Sequence, residues 1–266
     1  MKNRIIACLA FLGLLYTQVY AVTDDKAKFG IKGGVNVSTT AVLLILPELY
    51  WPFNTDYKYN AGFNMGLFGE FPLTKTLSFQ PEFSLSVKGL RSESFVYGKI
   101  PTTAGIDTYE LHSISNISLY YIQLPLYLKF GFNLNNSSKL IAGLGPYFAY
   151  GINGRMRGEF TMFPFSYIWK GEKNIFKEER LDYKNKPVHA INYEWWIEEP
   201  CWHNSIKRFD GGISGFIGYE LHNRWSITAT FDLGLINLLH QTNKNGYIIE
   251  SKMYNRSFSF SLGYKF

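Results

Sequence analysis

From Leu77 to Lys88 the chain alternates without a break. Leu77, Phe79, Pro81, Phe83, Leu85 and Val87 fall on one side, and Ser78, Gln80, Glu82, Ser84, Ser86 and Lys88 on the other. Successive side chains of a strand point to opposite faces, so a period of two predicts a β-strand, whereas a helix would group its apolar residues at three and four. Trp225 to Leu235 repeats the pattern, with Trp225, Ile227, Ala229, Phe231, Leu233 and Leu235 opposed by Ser226, Thr228, Thr230, Asp232 and Gly234. Six further segments do the same: Phe29 to Val37, Gly62 to Phe71, Ile122 to Phe130, Ala142 to Tyr150, Asp210 to Glu220 and Ser257 to Phe266. Eight strands are expected, an even number.

The connections alternate too. Short links rich in turn formers fall at Pro72 to Thr76, Asn133 to Ser138 and Leu221 to Arg224. Long ones fall at about Thr39 to Asn60, Arg91 to Ser118, Ile152 to Arg208 and Asn237 to Met253. This rhythm predicts an all-β fold, an eight-stranded antiparallel up-and-down transmembrane β-barrel with short periplasmic turns, long extracellular loops and both ends in the periplasm. A soluble barrel shows the same period with its apolar face inward. Size decides between them, because the interior of about eight strands is only just wide enough for side chains, and the apolar stripe here is bulky. The opposite stripe is mainly Gly, Ser, Thr and single charges, which a narrow lumen accepts. Phe71, Trp225 and Tyr264 near strand ends suit interfacial girdles. Outer-membrane lipid is then the first partner of this surface.

Composition narrows the classes. With Trp 6, Tyr 19 and Phe 22 in 266 residues and only 18% charged, the chain is too apolar for disorder. Beyond the N-terminus no apolar run reaches the roughly 18 residues of a spanning helix. Residues 1–21 carry Lys2 and Arg4, an apolar stretch from Ile5 to Tyr16, and Val19-Tyr20-Ala21 as a cleavage site, so they are expected to be an export signal, with residues 22–266 as the barrel domain. Removing Lys2 and Arg4 leaves 25 basic residues against 21 acidic, a formal +4. The bases are interleaved with acids, as in Lys170 to Arg180, which argues against nucleic acid as a partner. The mature chain keeps one cysteine, Cys201, so no internal disulfide can hold it.

At Tyr121-Ile122-Gln123-Leu124-Pro125-Leu126-Tyr127-Leu128-Lys129-Phe130 the sequence resembles the PorT-like outer-membrane β-barrel family. Gly143-Leu144-Gly145-Pro146-Tyr147, Asp210-Gly211-Gly212-Ile213, Gln80-Pro81-Glu82 and the closing Leu262-Gly263-Tyr264-Lys265-Phe266 match it as well. The resemblance covers the strands and none of the long loops. It implies a small porin-family barrel of the Gram-negative outer membrane, inserted by the barrel-assembly machinery. Some members are linked to type IX protein secretion, a role the scaffold motifs do not carry to this chain.

Candidate chemistry divides between lumen and loops. Inward charges Lys32, Glu70, Glu82, Lys88, Lys129, Asp210, Glu220 and Asp232, with Gln80, Gln123 and Lys265, are expected to form a polar network closing the lumen, since an unpaired charge in a narrow interior is costly. A narrow conducting channel is the competing reading. His112 beside Ser113, near Asp107 and Glu110, is the one hydrolase-like grouping, but no motif surrounds it and no enzyme is expected. Glu198, Glu199, Cys201 and His203 lack the second ligand pair of a zinc site, so no metal or other cofactor is expected. His240 adds nothing. The loop from Ile152 to Arg208 combines Trp169, Trp195, Trp196 and Trp202 with dense charge, which suits recognition of a surface protein or glycan; packing of the loop on itself, or extension of the barrel by outer strands, stays open. Ala41 to Leu46 is an apolar run within an expected exterior loop. The expected function is a small non-enzymatic surface protein acting in binding or envelope structure, with an accessory role in secretion or envelope assembly as the alternative.

Overall fold

The computed structural model describes residues 26–44, 53–102, 105–135, 137–163, 167–177, 182–184, 206–239, 242–244, 247–249 and 251–266. Twelve strands are found there: β1 (Lys28–Leu44), β2 (Phe53–Pro72), β3 (Leu77–Thr102), β4 (Gly105–Asn135), β5 (Ser138–Phe163), β6 (Tyr167–Asn174), β7 (Asp182–Lys184), β8 (Phe209–Leu221), β9 (Trp225–Gly234), β10 (Thr242–Lys244), β11 (Tyr247–Ile249) and β12 (Ser251–Lys265). Eight of them close an antiparallel ring in the order β1-β2-β3-β4-β5-β8-β9-β12, and β6 and β7 continue outward from β5. Each expected strand is in the ring. The seam between first and last strands runs from Gly30↔Lys265 to Leu44↔Ser251, and the Phe266 amide donates to the Phe29 carbonyl at 2.9 Å. No ring strand keeps an open edge at this seam, which is what a bilayer without water demands of backbone groups.

The register sets the dimensions. A path leaving β1 at Val37 passes through Phe258, Phe231, Gly215, Leu144, Leu128, Phe79 and Phe71, and returns to β1 just below Lys28, ten residues lower. A stagger of ten over eight strands about 4.8 Å apart tilts each strand by about 40° and gives a backbone radius of roughly 8 Å. The outward stripe from Trp225 to Leu235 then rises about 25 Å, the height of an outer-membrane apolar band. That stripe is bare, with Trp225 56% exposed and Ile227 57%, and so are those of the other strands, with Leu262 61% and Ile217 67%. The alternate residues Ser214, Thr230, Asp232, Ser257 and Ser261 are buried inside.

Short turns match their sequences. At Leu221–Arg224 both His222 and Asn223 take positive φ, 51° and 54°, the left-handed pair of a tight hairpin whose twist suits its strands. Thr74 and Asn135 accept backbone N–H bonds two and three residues on in the other two links. Pro81, Pro125 and Pro146 fall at interruptions of the ladder: β3–β4 pairing skips from Pro81↔Leu126 to Ser84↔Gln123, and β4–β5 pairing from Pro125↔Tyr147 to Leu128↔Leu144. Missing donors are tolerated where the ladder is already open.

Three expectations are corrected. Where the structure describes them, the expected loops at 39–60, 91–118 and 152–208 are largely strand: β3 and β4 stay paired out to Thr102↔Gly105, and β5 runs on to pair with both β4 and β6, the extension by outer strands that the sequence left open for the last of them. Strands that leave the membrane have water on their outer face, so alternation of apolar and polar residues no longer marks them. In the expected loop at 237–253, β10 and β11 form a small hairpin. Ala41–Leu44 of the apolar run is not loop but the outer part of β1, paired with β12 from Ser251 to Tyr254; the rest lies outside the described residues. Besides Tyr127 and Tyr147, which alternation already places on the inward stripe, Phe68, Tyr121 and Phe216 also point into the lumen and are nearly fully buried.

Candidate functional site

The lumen is built in tiers. At the periplasmic end Glu70 of β2, Lys129 of β4, Glu220 of β8 and Lys265 of β12 meet across the ring. Lys129 Nζ lies 2.9 Å from Glu70 and 3.0 Å from Glu220, and Lys265 Nζ lies 2.9 Å and 2.7 Å from the same two carboxylates. Two cations and two anions from four strands thus form a closed floor in which each charge has two partners. Above it Lys32 reaches Glu82 at 2.7 Å, Gln80 donates to Glu82 at 2.8 Å, and the ammonium stands 6.0 Å from the ring centres of Tyr127 and Phe216. Higher still, Asp232 accepts from Lys88 at 2.9 Å, Gln123 at 3.1 Å, Ser257 at 3.0 Å and the Ser214 hydroxyl. Lys88 is only 1% exposed and lies 4.7 Å from the Tyr147 ring centre. Asp210 is held by hydrogen bonds, from Tyr147 at 3.2 Å, Asn255 at 2.9 Å and the Gly211 amide at 2.8 Å.

The space left is small. One cavity of about 30 Å³ is bordered by Lys32, Asn64, Glu82, Gln123, Tyr127, Thr230 and Asp232. Another of about 10 Å³ lies nearer the floor beside Phe68, Lys129, Phe216, Thr228 and Lys265. Each has room for at most a water or two, and water there would satisfy the Thr228 and Thr230 hydroxyls, which have no protein partner among the described residues. Glycines make room for the inward aromatics: a Cβ on Gly30 would lie 2.4 Å from the Phe68 ring, and one on Gly143 2.3 Å from Phe216.

The outer mouth is closed by a different chemistry. Leu90, Ile117, Leu119, Met156 and Met253 line the inside of the strands there, and Ile175, Phe176, Ile206 and Leu238 come in from the connections to complete a buried apolar cluster. Backbone bonds stitch these segments together, from Ile175 to Gly154 (3.1 Å), Ile206 to Ile175 (3.0 Å), Lys207 to Leu238 (2.7 Å) and Leu238 to Met253 (2.9 Å). Phe176 occupies the space that Gly151 and Gly154 leave, and Arg208 lies 5.1 Å from its ring while donating to the Gly151 carbonyl. No periodicity marks these four side chains in the sequence. The glycine pair within an otherwise regular strand was the one available signal.

The structure thus places all eight lumen candidates, Lys32, Glu70, Glu82, Lys88, Lys129, Asp210, Glu220 and Asp232, inside the ring, seven of them in ion pairs. His112 and Ser113 are consecutive in β4 and therefore face opposite ways: Ser113 is buried inward, while His112 stacks on Phe95 on the outer face at 4.3 Å. They form no nucleophile and base pair. Trp169 lies in β6, in register with Phe160 of β5. Trp195, Trp196 and Trp202, with Glu198, Glu199, Cys201, His203 and His240, lie outside the described residues. Beyond the apolar band β2 to β6 continue as a wall whose outer face is charged; there the hydrogen bond from Arg155 holds the Glu172 carboxyl below its usual range.

Comparison with known proteins gives one family. The model described as "Outer membrane protein beta-barrel domain" matches residues 21–240. No curated protein matches the chain. Among solved structures, the outer membrane protein OprG of Pseudomonas aeruginosa is 11% identical with a TM-score of 0.41, covering 90% of this chain and 96% of its own. The Ail protein of Yersinia pestis, solved with the heparin analogue sucrose octasulfate, is 11% identical at a TM-score of 0.34, covering 91% of this chain and 100% of its own. Neisserial surface protein A is 10% identical at 0.33, with coverage of 91% and 100%.

Proposed function

We propose, for a chain that belongs to the outer membrane protein beta-barrel domain family and resides in the outer membrane, that it is a closed, non-enzymatic anchor that presents a recognition surface outside the cell. The filling of the lumen carries this reading. From the Glu70, Lys129, Glu220 and Lys265 floor to the Phe176 plug, side chains occupy the interior, and a solute would have to displace ion pairs and an apolar cluster in turn. What the barrel offers instead is the wall of β2 to β6, and we assign Trp169 of β6, with Trp195, Trp196 and Trp202 of the segment that follows it in the sequence, to contact with a surface protein or glycan. The finer kinship with PorT-like barrels belongs to the same proposal. It is supported by the Tyr121 to Phe130 motif, whose inward Gln123, Tyr127 and Lys129 all serve the lumen network.

Two measurements test it on the folded barrel. In planar bilayers it should give no discrete conductance steps, and regular single-channel currents would overturn the closed lumen. A detergent-solubilised monomer should retain a protein or glycan from the cell surface, with retention lost on replacing Trp195 and Trp196 by Ala. Equal retention by that variant would overturn the assignment of those residues.

A further inference from the structure

The two ends of the ring carry their charge differently. At the outer end Lys58, Arg91, Arg155 and Arg157 are held in ion pairs with Glu93 and Glu172. At the periplasmic end the stretches 71–80, 130–150 and 221–231 contain no Asp or Glu, and each carries a single Lys or Arg: Lys75, Lys139 and Arg224. Lys26 and Lys28 add two more cations where β1 begins. The glutamates of the floor do not offset them, because Glu70 and Glu220 are each already shared by Lys129 and Lys265. None of the five cations forms an ion pair with a described residue, and Asp24 and Asp25, which precede Lys26, lie outside the described residues.

Their placement follows the ring. Lys28 is in register with Glu70, and Lys139 with Glu220. Cross-strand partners share a face, so both lysines belong to the inward stripe, at the rim of the opening. β1 and β5 stand four strands apart in a ring of eight, on opposite sides of it, and the turns that carry Lys75 and Arg224 are opposed in the same way. With a backbone radius of roughly 8 Å, opposed members stand about 16 Å apart. Each is then about one Debye length from the centre of the opening at physiological salt, so their fields add there.

We propose that the periplasmic opening of the barrel docks an acidic segment of a periplasmic protein, which lies across it between Lys28 and Lys139 and reaches Lys75 and Arg224 at the turns. This surface is separate from the recognition surface outside the cell and does not depend on it. Charge complementarity sets the sign of the partner, and position sets its class. Lipid surrounds the ring from outside and does not reach inward residues on its two opposite sides. An extended chain crosses about 16 Å in about five residues, and a run of Asp and Glu brings a carboxylate with each of them. The lysine stems let the ammonium groups follow such a chain.

The test is a titration of the folded full chain, in phosphatidylcholine nanodiscs that leave both ends open to solvent, with a fluorescent peptide of about ten glutamates, long enough to cross the opening when extended. The peptide should bind, and more weakly as salt rises. The K28Q/K139Q variant should bind it at least about tenfold more weakly, while K58Q/R91Q, which removes as many charges from the outer end, keeps the parent affinity. Heat-modifiable mobility on gels verifies that each barrel has closed, and if K28Q/K139Q does not close, K75Q/R224Q carries the same expectation. Unchanged affinity in the closed variant, loss of binding in K58Q/R91Q instead, or a barrel that sediments with purified cell-wall sacculi but does not bind the peptide would each overturn the proposal.

Discussion

The floor and the mouth of this barrel are closed by opposite means within one ring of strands. The floor uses two lysines and two glutamates in mutual contact, with Lys32 to Glu82 and Lys88 to Asp232 stacked above. The mouth uses Ile175, Phe176, Ile206 and Leu238 packed on Leu90, Ile117, Leu119 and Met156. Charged closure depends on every partner being present, because a buried ion left alone pays its full desolvation. Apolar closure is graded, and it loses stability in proportion to what is removed. The floor residues lie on the strands, and the mouth plug is delivered by connections. The first belongs to the scaffold, and the second can vary while the scaffold stays.

The contrast can be broken by mutation. Asp232→Ala should have the largest effect, about 3–5 kcal/mol in a denaturant titration in lipid vesicles, since Lys88, Gln123, Ser214 and Ser257 lose their common acceptor. A loss under about 1 kcal/mol would show that the network is not a unit. Phe176→Ala should cost about 3 kcal/mol, and locally: amides of Ile175, Ile206 and Leu238 should exchange faster while those of Lys129 and Glu220 do not change. Uniform acceleration would mean that the mouth and floor melt together. Gly143→Ala should cost about 1–3 kcal/mol through its clash with Phe216, and Phe216→Leu should restore part of it. No rescue would place the strain in the backbone instead. Smallest is the double change Lys32→Met with Glu82→Leu, within about 1 kcal/mol of the parent, although Glu82→Leu alone should be worse than the pair. A double variant as damaged as the single one would argue that Lys32 and Glu82 act separately.

Sequence pattern and structure agree best where each strand has lipid on one side and lumen on the other. Phe258, Phe260 and Leu262 against Ser257, Ser259 and Ser261 could be read directly, because the two solvents differ so sharply. Legibility falls where that difference ends. Ser92, Ser94, Ser113 and Ser115 lie on the inner face of the outward extension opposite Arg91, Glu93 and His112, and with polar residues on both faces the segment resembles a loop. Phe68 and Phe216 break the pattern for another reason: the lumen is wide enough for a ring only where a glycine on a neighbouring strand makes room, and Gly30 and Gly143 do so. The charges of the lumen could be named from their parity, but their pairing depends on the ten-residue stagger, which no single strand displays. Trp169, Trp195, Trp196 and Trp202 stand apart from all of this, because a loop's aromatic content suggests contact without saying with what.

The orientation of the two stripes is the claim on which the rest depends, and spin-label accessibility tests it most directly. Single cysteines at Phe260 and Ser261, in a background with both Cys8 and Cys201 replaced by Ser, would be labelled after the barrel is reconstituted in lipid bilayers, or labelled before folding where the lumen blocks the reagent. The Phe260 label should collide freely with oxygen dissolved in the acyl chains, and the Ser261 label should be shielded from it. The reverse result, or equal oxygen access at both positions, would contradict a barrel that turns its large apolar side chains to lipid and fills its lumen with ion pairs.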